Sequence, residues 1–452
     1  MAAGGRCDVA VVGGGLSGLV AAAAVRAAGR SVVVLEARDR VGGRIETATF
    51  ADGTRVDLGA TWVGPHQRRV NALADRLGVA RFRSAVPGRV LVVPPAGAPA
   101  GRVAAASALA AAAAQRLTLA RLDRAAARVD LERPWLTPGA GALDGRTLDD
   151  WLRRARLGRR SGATVRRVLT GLFAEEPHRV SLLHALFYVR SNGGTRALFA
   201  GDGGAQQDRL AGGAARLAEA LAETLGDAVR TGAAVEAVEH EGGRVRLATA
   251  AGAVDARHAV VAVPPRLCER IAFAPELPAR RRELQRRAPH GAVTKVALRY
   301  EDAFWRRDGL SGTAFGPELP FSFTVDLTPP EAQGGVLGVY LIGPRATAHA
   351  ERGERRLDVL LERVGAVLGP AAAAPAEVLE RDWQAEHWSG GAWGAYYGPG
   401  LWTAVEDAVR APVDGVSWAG SESAVVSNNY LDGAVEAGER AAAEALAALD
   451  RR

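Results

Sequence analysis

A glycine turn between a short buried strand and a helix of small residues constrains this chain more than any other feature. Asp8-Val-Ala-Val-Val12 reads as the strand and Gly13-x-Gly15-x-x-Gly18 as the turn. Leu19 to Ala28 reads as the helix, which Gly29 ends, and Ser31 to Glu36 as a second strand. Two strands joined by a crossover helix call for a parallel sheet. Gly13 permits the tight turn, Gly15 lets a pyrophosphate reach the backbone, and Gly18 lets helix and strand pack closely. The helix N-terminus offers N–H groups to phosphate. Glu36 closes the second strand 18 residues after Gly18, where a carboxylate can accept hydrogen bonds from an adenosine ribose. We read a dinucleotide site.

The rest of the chain has room for more than that unit. Its 452 residues allow two or three domains at roughly 100–200 residues each. At 48% apolar and 24% charged it is an ordinary globular protein, which excludes a disordered or fibrous chain. The nearest candidate for a membrane span, Val103 to Ala114, is short and nearly all alanine, so we expect none. A first strand beginning by Asp8 leaves no room for a secretory signal. Two cysteines, Cys7 and Cys268, give neither a disulfide framework nor a metal spacing, and we expect a cytoplasmic protein with no metal. The net charge of +7 comes from arginines spread along the whole chain, in clusters that alternate with leucine as solvated helix faces do; we expect no nucleic-acid partner.

Residues 80 to 200 read as mainly helical, with a proline-bearing break at Glu132 to Pro138. Strands return at Ala234 to His240, Arg244 to Ala250 and Ala259 to Val263, then at 291–300 and 335–342. A helix from about Arg355 to Leu368, a strand at Val416 to Ala419 and a helix from about Asp432 to the end complete the pattern. Against a background rich in alanine, glycine and arginine, two rare residue types stand out. Lys295 is the single lysine among 57 basic residues, and two of the four asparagines, Asn428 and Asn429, are adjacent. In Val293-Thr-Lys-Val-Ala-Leu298 a period of two puts Lys295 on one face with Val293 and Ala297, so it points inward or snorkels at an edge. A compact ammonium can hold a water or lend positive charge where arginine's planar fork cannot.

Glu36-Ala-Arg38-Asp-Arg-Val-Gly-Gly43-Arg44 and Asp57-Leu-Gly59-Ala60-Thr61-Trp-Val-Gly64 resemble the second dinucleotide motif of the flavin-containing amine oxidases. The resemblance continues in order over roughly residues 8 to 446. It runs through Pro134-Trp135, Glu175 to Ser181, Gly204 to Gln207, Val263 to Pro265, Val293 to Val296, Trp388 to Gly391, Trp418 to Glu422 and Tyr430 to Arg440. It implies an α/β fold: a two-dinucleotide-binding, Rossmann-like FAD domain from residues 1–80, 205–290 and 381–452, with an inserted α+β substrate domain from 81–204 and 291–380. It also implies FAD contacts at Gly13, Gly15, Gly18, Glu36, Arg38, Gly43, Arg44, Gly59, Ala60, Thr61, Val235, Trp388, Glu422, Asp432, Ala434 and Val435. The N-terminus of the last helix would stabilise negative charge on the reduced ring.

By the same resemblance, Lys295 lies where the family places a lysine near flavin N5. Trp393 and Tyr430 fall at the two walls of an aromatic sandwich before the flavin, a tryptophan replacing the more usual tyrosine at the first. Tyr188 and Gln206 match pocket-lining positions, and Phe199 a gate between entrance and substrate cavities. Ala392 stands where covalent members carry a cysteine, so the FAD is expected to be non-covalent. Asn428 and Asn429 either hydrogen-bond a polar substrate or shape the loop. Asp326 is either a partner for the distal ammonium of a diamine or a turn residue.

The implied activity is oxidation of a small amine by hydride transfer from its α-carbon to flavin N5. The products are an imine, hydrolysed to aldehyde and ammonia, and hydrogen peroxide from reoxidation by O2. Mitochondrial members of the family continue into a membrane helix where this sequence has Leu449 to Arg452, so by the resemblance we expect a soluble protein, with a homodimer left open. Two rivals stand beside this reading. A tailoring oxidase or desaturase of a secondary metabolite is compatible with the same fold. An L-amino-acid oxidase needs a carboxylate-binding arginine after the second motif, where this chain has Gly59-Ala-Thr-Trp62; Arg68 and Arg69 keep that rival open.

Overall fold

The computed structural model describes residues 4–94, 102–155, 159–241 and 243–451. Its opening unit is strand Gly4–Val12, helix Leu16–Ala27 and strand Val32–Leu35, the two strands parallel with Val9 opposite Val32 and Val12 opposite Leu35. The helix begins earlier than Leu19 because the second half of the glycine motif, Leu16 to Gly18, is its first turn. Val9, Ala10, Val11 and Val12 of the first strand and Val32, Val34 and Leu35 of the second are buried, as parallel strands between layers require.

Among the described residues these strands belong to a sheet of eight. Gly4–Val12 lies between Val32–Leu35 and the long strand Gly252–Val261, both parallel to it. Val416–Trp418 also pairs in parallel with Gly252–Val261, while Val235–Glu241 and Arg244–Thr249 continue outward as an antiparallel meander. The run at Ala259 to Val263 is thus the end of a longer strand that starts at Gly252. Its C-terminal end arrives beside the glycine turn, where Ala262 N–H donates to the Val12 carbonyl. The last helix, Leu431–Asp450, packs on Leu16–Ala27, and Val435, Ala441, Ala445 and Leu449 enter the same core as Leu19 and Val25.

A second sheet of six strands runs in the order Glu377–Asp382, Val293–Tyr300, Gly335–Ile342, Phe323–Asp326, Leu310–Phe315, Arg89–Val92. Lys295 faces Tyr340 across the antiparallel pair Val293–Tyr300 and Gly335–Ile342. Within 80–200 the helices Arg102–Ala126, Arg159–Phe173 and Leu182–Ser191 bear out the helical reading; residues 95–101 and 156–158 of that stretch lie outside the described residues. Arg89–Val92, at the sheet's edge, is a strand in a stretch read as helical. Among the described residues no helix is long and apolar enough to cross a membrane, and no group of acidic, histidine and cysteine side chains is placed to hold a metal ion.

Candidate active site

A cavity of about 1950 Å3 reaches from the glycine turn to the second sheet. Small-molecule sites usually occupy roughly 300–1,000 Å3, so this one has space for a dinucleotide and a second small molecule.

At the glycine end the backbone forms the wall. Gly13 has φ +101°, in the region that disfavours side chains, and a Cβ on Gly18 would sit 2.0 Å from the Gly13 carbonyl oxygen. A Cβ on Gly15 would meet nothing within 4 Å, because Gly15 opens onto the cavity. Gly15 is also the N-cap of Leu16–Ala27, and no side chain caps that helix. Its first N–H groups are therefore free for an anionic ligand. Glu36 is 3% exposed. One carboxylate oxygen accepts from Gly14 N–H at 2.6 Å and the other from Arg38 N–H at 2.9 Å. Arg38 in turn reaches Ser389 Oγ at 2.8 Å, tying the Trp388 loop to this end.

Arg44 forms the next layer. Its guanidinium makes a bidentate pair with Glu422 at 2.6 and 3.0 Å and donates to the Trp393 carbonyl at 2.8 Å. His290 Nε2 lies 3.2 Å from the same carboxylate. Burial works against the Glu422 charge, but Arg44 and His290 together hold its carboxyl well below the usual carboxylate range.

At the other end the wall is aromatic. Trp393 lines the cavity, and its indole N–H donates to the Gly171 carbonyl at 3.0 Å. Tyr430, the N-cap residue of the last helix, lines the cavity with Tyr188, their rings 6.3 Å apart. Tyr340 stacks between Phe323, at 4.5 Å, and Trp62, at 5.5 Å, and lies 6.3 Å from Trp393. Against this cluster rests Lys295, 1% exposed, its Nζ 4.8 Å from the Tyr340 ring centroid. It donates to Thr61 Oγ1 at 2.6 Å, and Thr61 lines the cavity. Burial lowers the Lys295 pKa to about 7, partly opposed by the Asp57 carboxylate and assisted by Arg209.

Of the residues singled out from sequence, Gly13, Gly15, Glu36, Arg38, Gly43, Arg44, Gly59, Ala60, Thr61, Val235, Trp388 and Ala434 line the cavity, together with Trp393, Tyr430, Tyr188, Phe199 and Gln206. Gly18, Lys295, Glu422, Asp432 and Val435 stand behind the wall. Gly18 sits against the turn and Val435 in the core between helices. The Asp432 carboxylate accepts from Val70 N–H at 2.9 Å and Ser427 Oγ at 3.0 Å, turned away from the cavity. Asn428 is a loop-shaping residue, its amide donating to the Ser421, Glu422 and Ala424 carbonyls. Asn429 has φ +63° and lines the cavity.

The diamine role considered for Asp326 does not hold. Its fully buried carboxylate is taken by Trp305 Nε1 and by a bidentate pair with Arg306 at 2.7 and 3.0 Å. Sequence reasoning missed Tyr340, Phe323 and His290. Tyr340 carries a signal only in retrospect, as an aromatic on the fully buried strand opposite the lone lysine.

These residues fit FAD. The uncapped helix start and open Gly15 suit a pyrophosphate, the volume suits the whole dinucleotide, and Ala392 presents only a methyl group to the cavity. Neither cysteine lines the cavity, and burial pushes both thiols up to about 11.

A family model described as flavin containing amine oxidoreductase matches residues 16–446. The flavin-containing amine oxidase B of Cavia porcellus is 34% identical over 467 residues, covering 99% of this chain and 87% of that protein. Among solved structures, putrescine oxidase bound to putrescine has a TM-score of 0.92 at 32% identity, covering 98% of this chain and all of the other. Cyclohexylamine oxidase from Brevibacterium oxydans scores 0.90 at 31% identity, with coverage of 98% and 100%. The chain belongs to the flavin-containing amine oxidoreductases. It is a FAD-dependent oxidoreductase acting on amines, with its flavin held non-covalently.

Proposed function

We propose that the protein oxidises a small amine seated between Trp393 and Tyr430 and passes the electrons to O2, as a soluble cytoplasmic enzyme. Bound FAD supplies the hydride acceptor and, in its reduced form, the reductant of dioxygen. We assign FAD binding to residues 1–80, 205–290 and 381–452, and the substrate to 81–204 and 291–380.

The convergence of Trp393, Tyr430 and the Lys295–Thr61 pair on one cavity carries this reading. Electron-rich ring faces attract the polarised C–N end of an amine and exclude bulk water. The Gly171 carbonyl fixes the Trp393 ring, and Tyr188 packs behind Tyr430. Among the described residues no free carboxylate lines the cavity beside these rings as a strong base, so the amine enters neutral. Below about pH 7 Lys295 carries a proton next to Thr61 and supplies positive charge where oxygen acquires negative charge.

The amino-acid oxidase reading loses its arginines. Neither Arg68 nor Arg69 lines the cavity, and Arg69 pairs with Glu439 at the surface. The test is anaerobic addition of primary amines, diamines and amino acids to the purified protein. Bleaching of the flavin bands by an amine is expected. A flavin-loaded protein that no amine bleaches overturns the reading in favour of a tailoring oxidase.

A further inference from the structure

Arg167 lies on the helix Arg159–Phe173 one turn before Gly171, whose carbonyl holds the Trp393 indole. Residues four apart share a helix face, so Arg167 lines the same cavity one turn further along. Arg345, from the helix Pro344–Ala350 after the Tyr340 strand, lines it too. Arg345 is fixed by the carbonyls of Leu319 and Pro317, both at 2.9 Å. The Arg167 guanidinium makes one long hydrogen bond, to Thr164 Oγ1 at 3.3 Å. Among the described residues neither arginine is ion-paired within 4.0 Å of a carboxylate. They are close enough to repel: burial first, then the Arg167 charge, lowers the Arg345 pKa, while Glu176, which does not line the cavity, opposes this.

Among the described residues no free acid lining the cavity offsets this charge. The carboxylates lining the cavity are Glu36 and Glu236, at the dinucleotide end, and Asp326, consumed by Arg306 and Trp305. A half-buried cavity with two guanidiniums and no free carboxylate is a cation-repelling, carboxylate-accepting chamber.

We propose that Arg167 and Arg345 make this end of the cavity select amines whose far end carries a carboxylate and turn away diamines. The proposal rests on the amine-oxidase reading. It differs from an α-amino-acid site, because the acid is met a helical turn beyond Trp393 and not at the reacting carbon.

The experiment compares pentylamine, 1,5-diaminopentane and 5-aminopentanoate with the wild-type holoenzyme, as kcat/KM per neutral reacting amine. The aminocarboxylate is expected to exceed the monoamine, with the diamine below it by on the order of tenfold, as like charges several ångströms apart give in a partly screened site. Arg167→Glu is expected to raise the diamine relative to the aminocarboxylate, each read against pentylamine in the same variant. Diamine turnover equal to or above that of the aminocarboxylate in wild type overturns the proposal, whether or not the variant folds. So does an unchanged ranking in flavin-loaded Arg167→Glu. Pentylamine turnover without charge ranking defeats only this inference, whereas failure of all three to bleach the flavin defeats the underlying amine reading with it.

Discussion

The two ends of the cavity are built by opposite means. At the dinucleotide end the backbone makes the surface, and the charged side chains are already engaged: Glu36 by the Gly14 and Arg38 N–H groups, Glu422 by Arg44 and His290. At the far end side chains make the surface, as stacked rings with one loosely held guanidinium. Rigid, internally satisfied groups suit a ligand that stays bound. A chamber of rings and under-engaged charge suits a molecule that must enter, be discriminated and leave.

That contrast breaks most readily at Glu422. Removing one partner of a buried, hydrogen-bonded pair leaves an uncompensated charge, typically at a cost of about 3–5 kcal/mol. Glu422→Ala strands Arg44 and removes the His290 contact, so we expect a loss of about 3 kcal/mol in denaturant unfolding, with flavin released on gel filtration. Wild-type stability would show that Arg44 is held by something other than this pair. Glu36→Ala comes next. It deletes two charge-assisted hydrogen bonds to backbone N–H groups, so FAD affinity should fall by tenfold to about a hundredfold. Flavin titration of the apoprotein measures it, and full retention removes the ribose role.

At the other end single losses should be smaller. Trp393→Ala and Tyr430→Ala each remove one ring face, worth about 0.5–1.5 kcal/mol, and should slow anaerobic reduction by the best amine by up to about tenfold. Flavin content should stay normal, which separates these variants from Glu422→Ala. If both variants reduce at the wild-type rate, the two rings are not the amine's walls.

The same contrast explains what could be read in advance. The glycine turn was legible because each glycine answers a local demand, a positive φ at Gly13 or a close approach at Gly18, and such demands are written at fixed spacing. Lys295 was legible because it is the single lysine and sits among apolar neighbours. What surrounds it was not: Tyr340 meets Lys295 through strand pairing, and Trp62 and Phe323 meet Tyr340 through packing between distant segments. Arg167 is hidden differently, as one arginine among 56, given a special position only by the helix face it occupies. Arg89–Val92 was misread because an edge strand carries too few residues to show its period. For Asp326 the sequence left two alternatives open, because its partners Trp305 and Arg306 are met only through packing.

The smallest effect tests whether Lys295 belongs to the fixed end or the working end. Burial sets its pKa near 7, below the ordinary lysine value of 10.5, so it carries a proton below about pH 7 and loses it above. Asp57 favours the charged form and Arg209 opposes it. If the charge assists oxygen, the rate at which reduced enzyme regains its visible bands in air should fall several-fold as pH rises through about 7. Lys295→Met, which keeps the length but removes the charge, should be slower at low pH and flat across that range, while anaerobic reduction changes less. Stopped-flow mixing of reduced enzyme with buffered oxygen reads both. A variant that keeps the wild-type pH profile would make Lys295 a clamp on Thr61 and Gly59, a piece of the rigid wall. A profile that flattens only in the variant would place the lysine's charge with the rings, at the end of the cavity that handles what comes and goes.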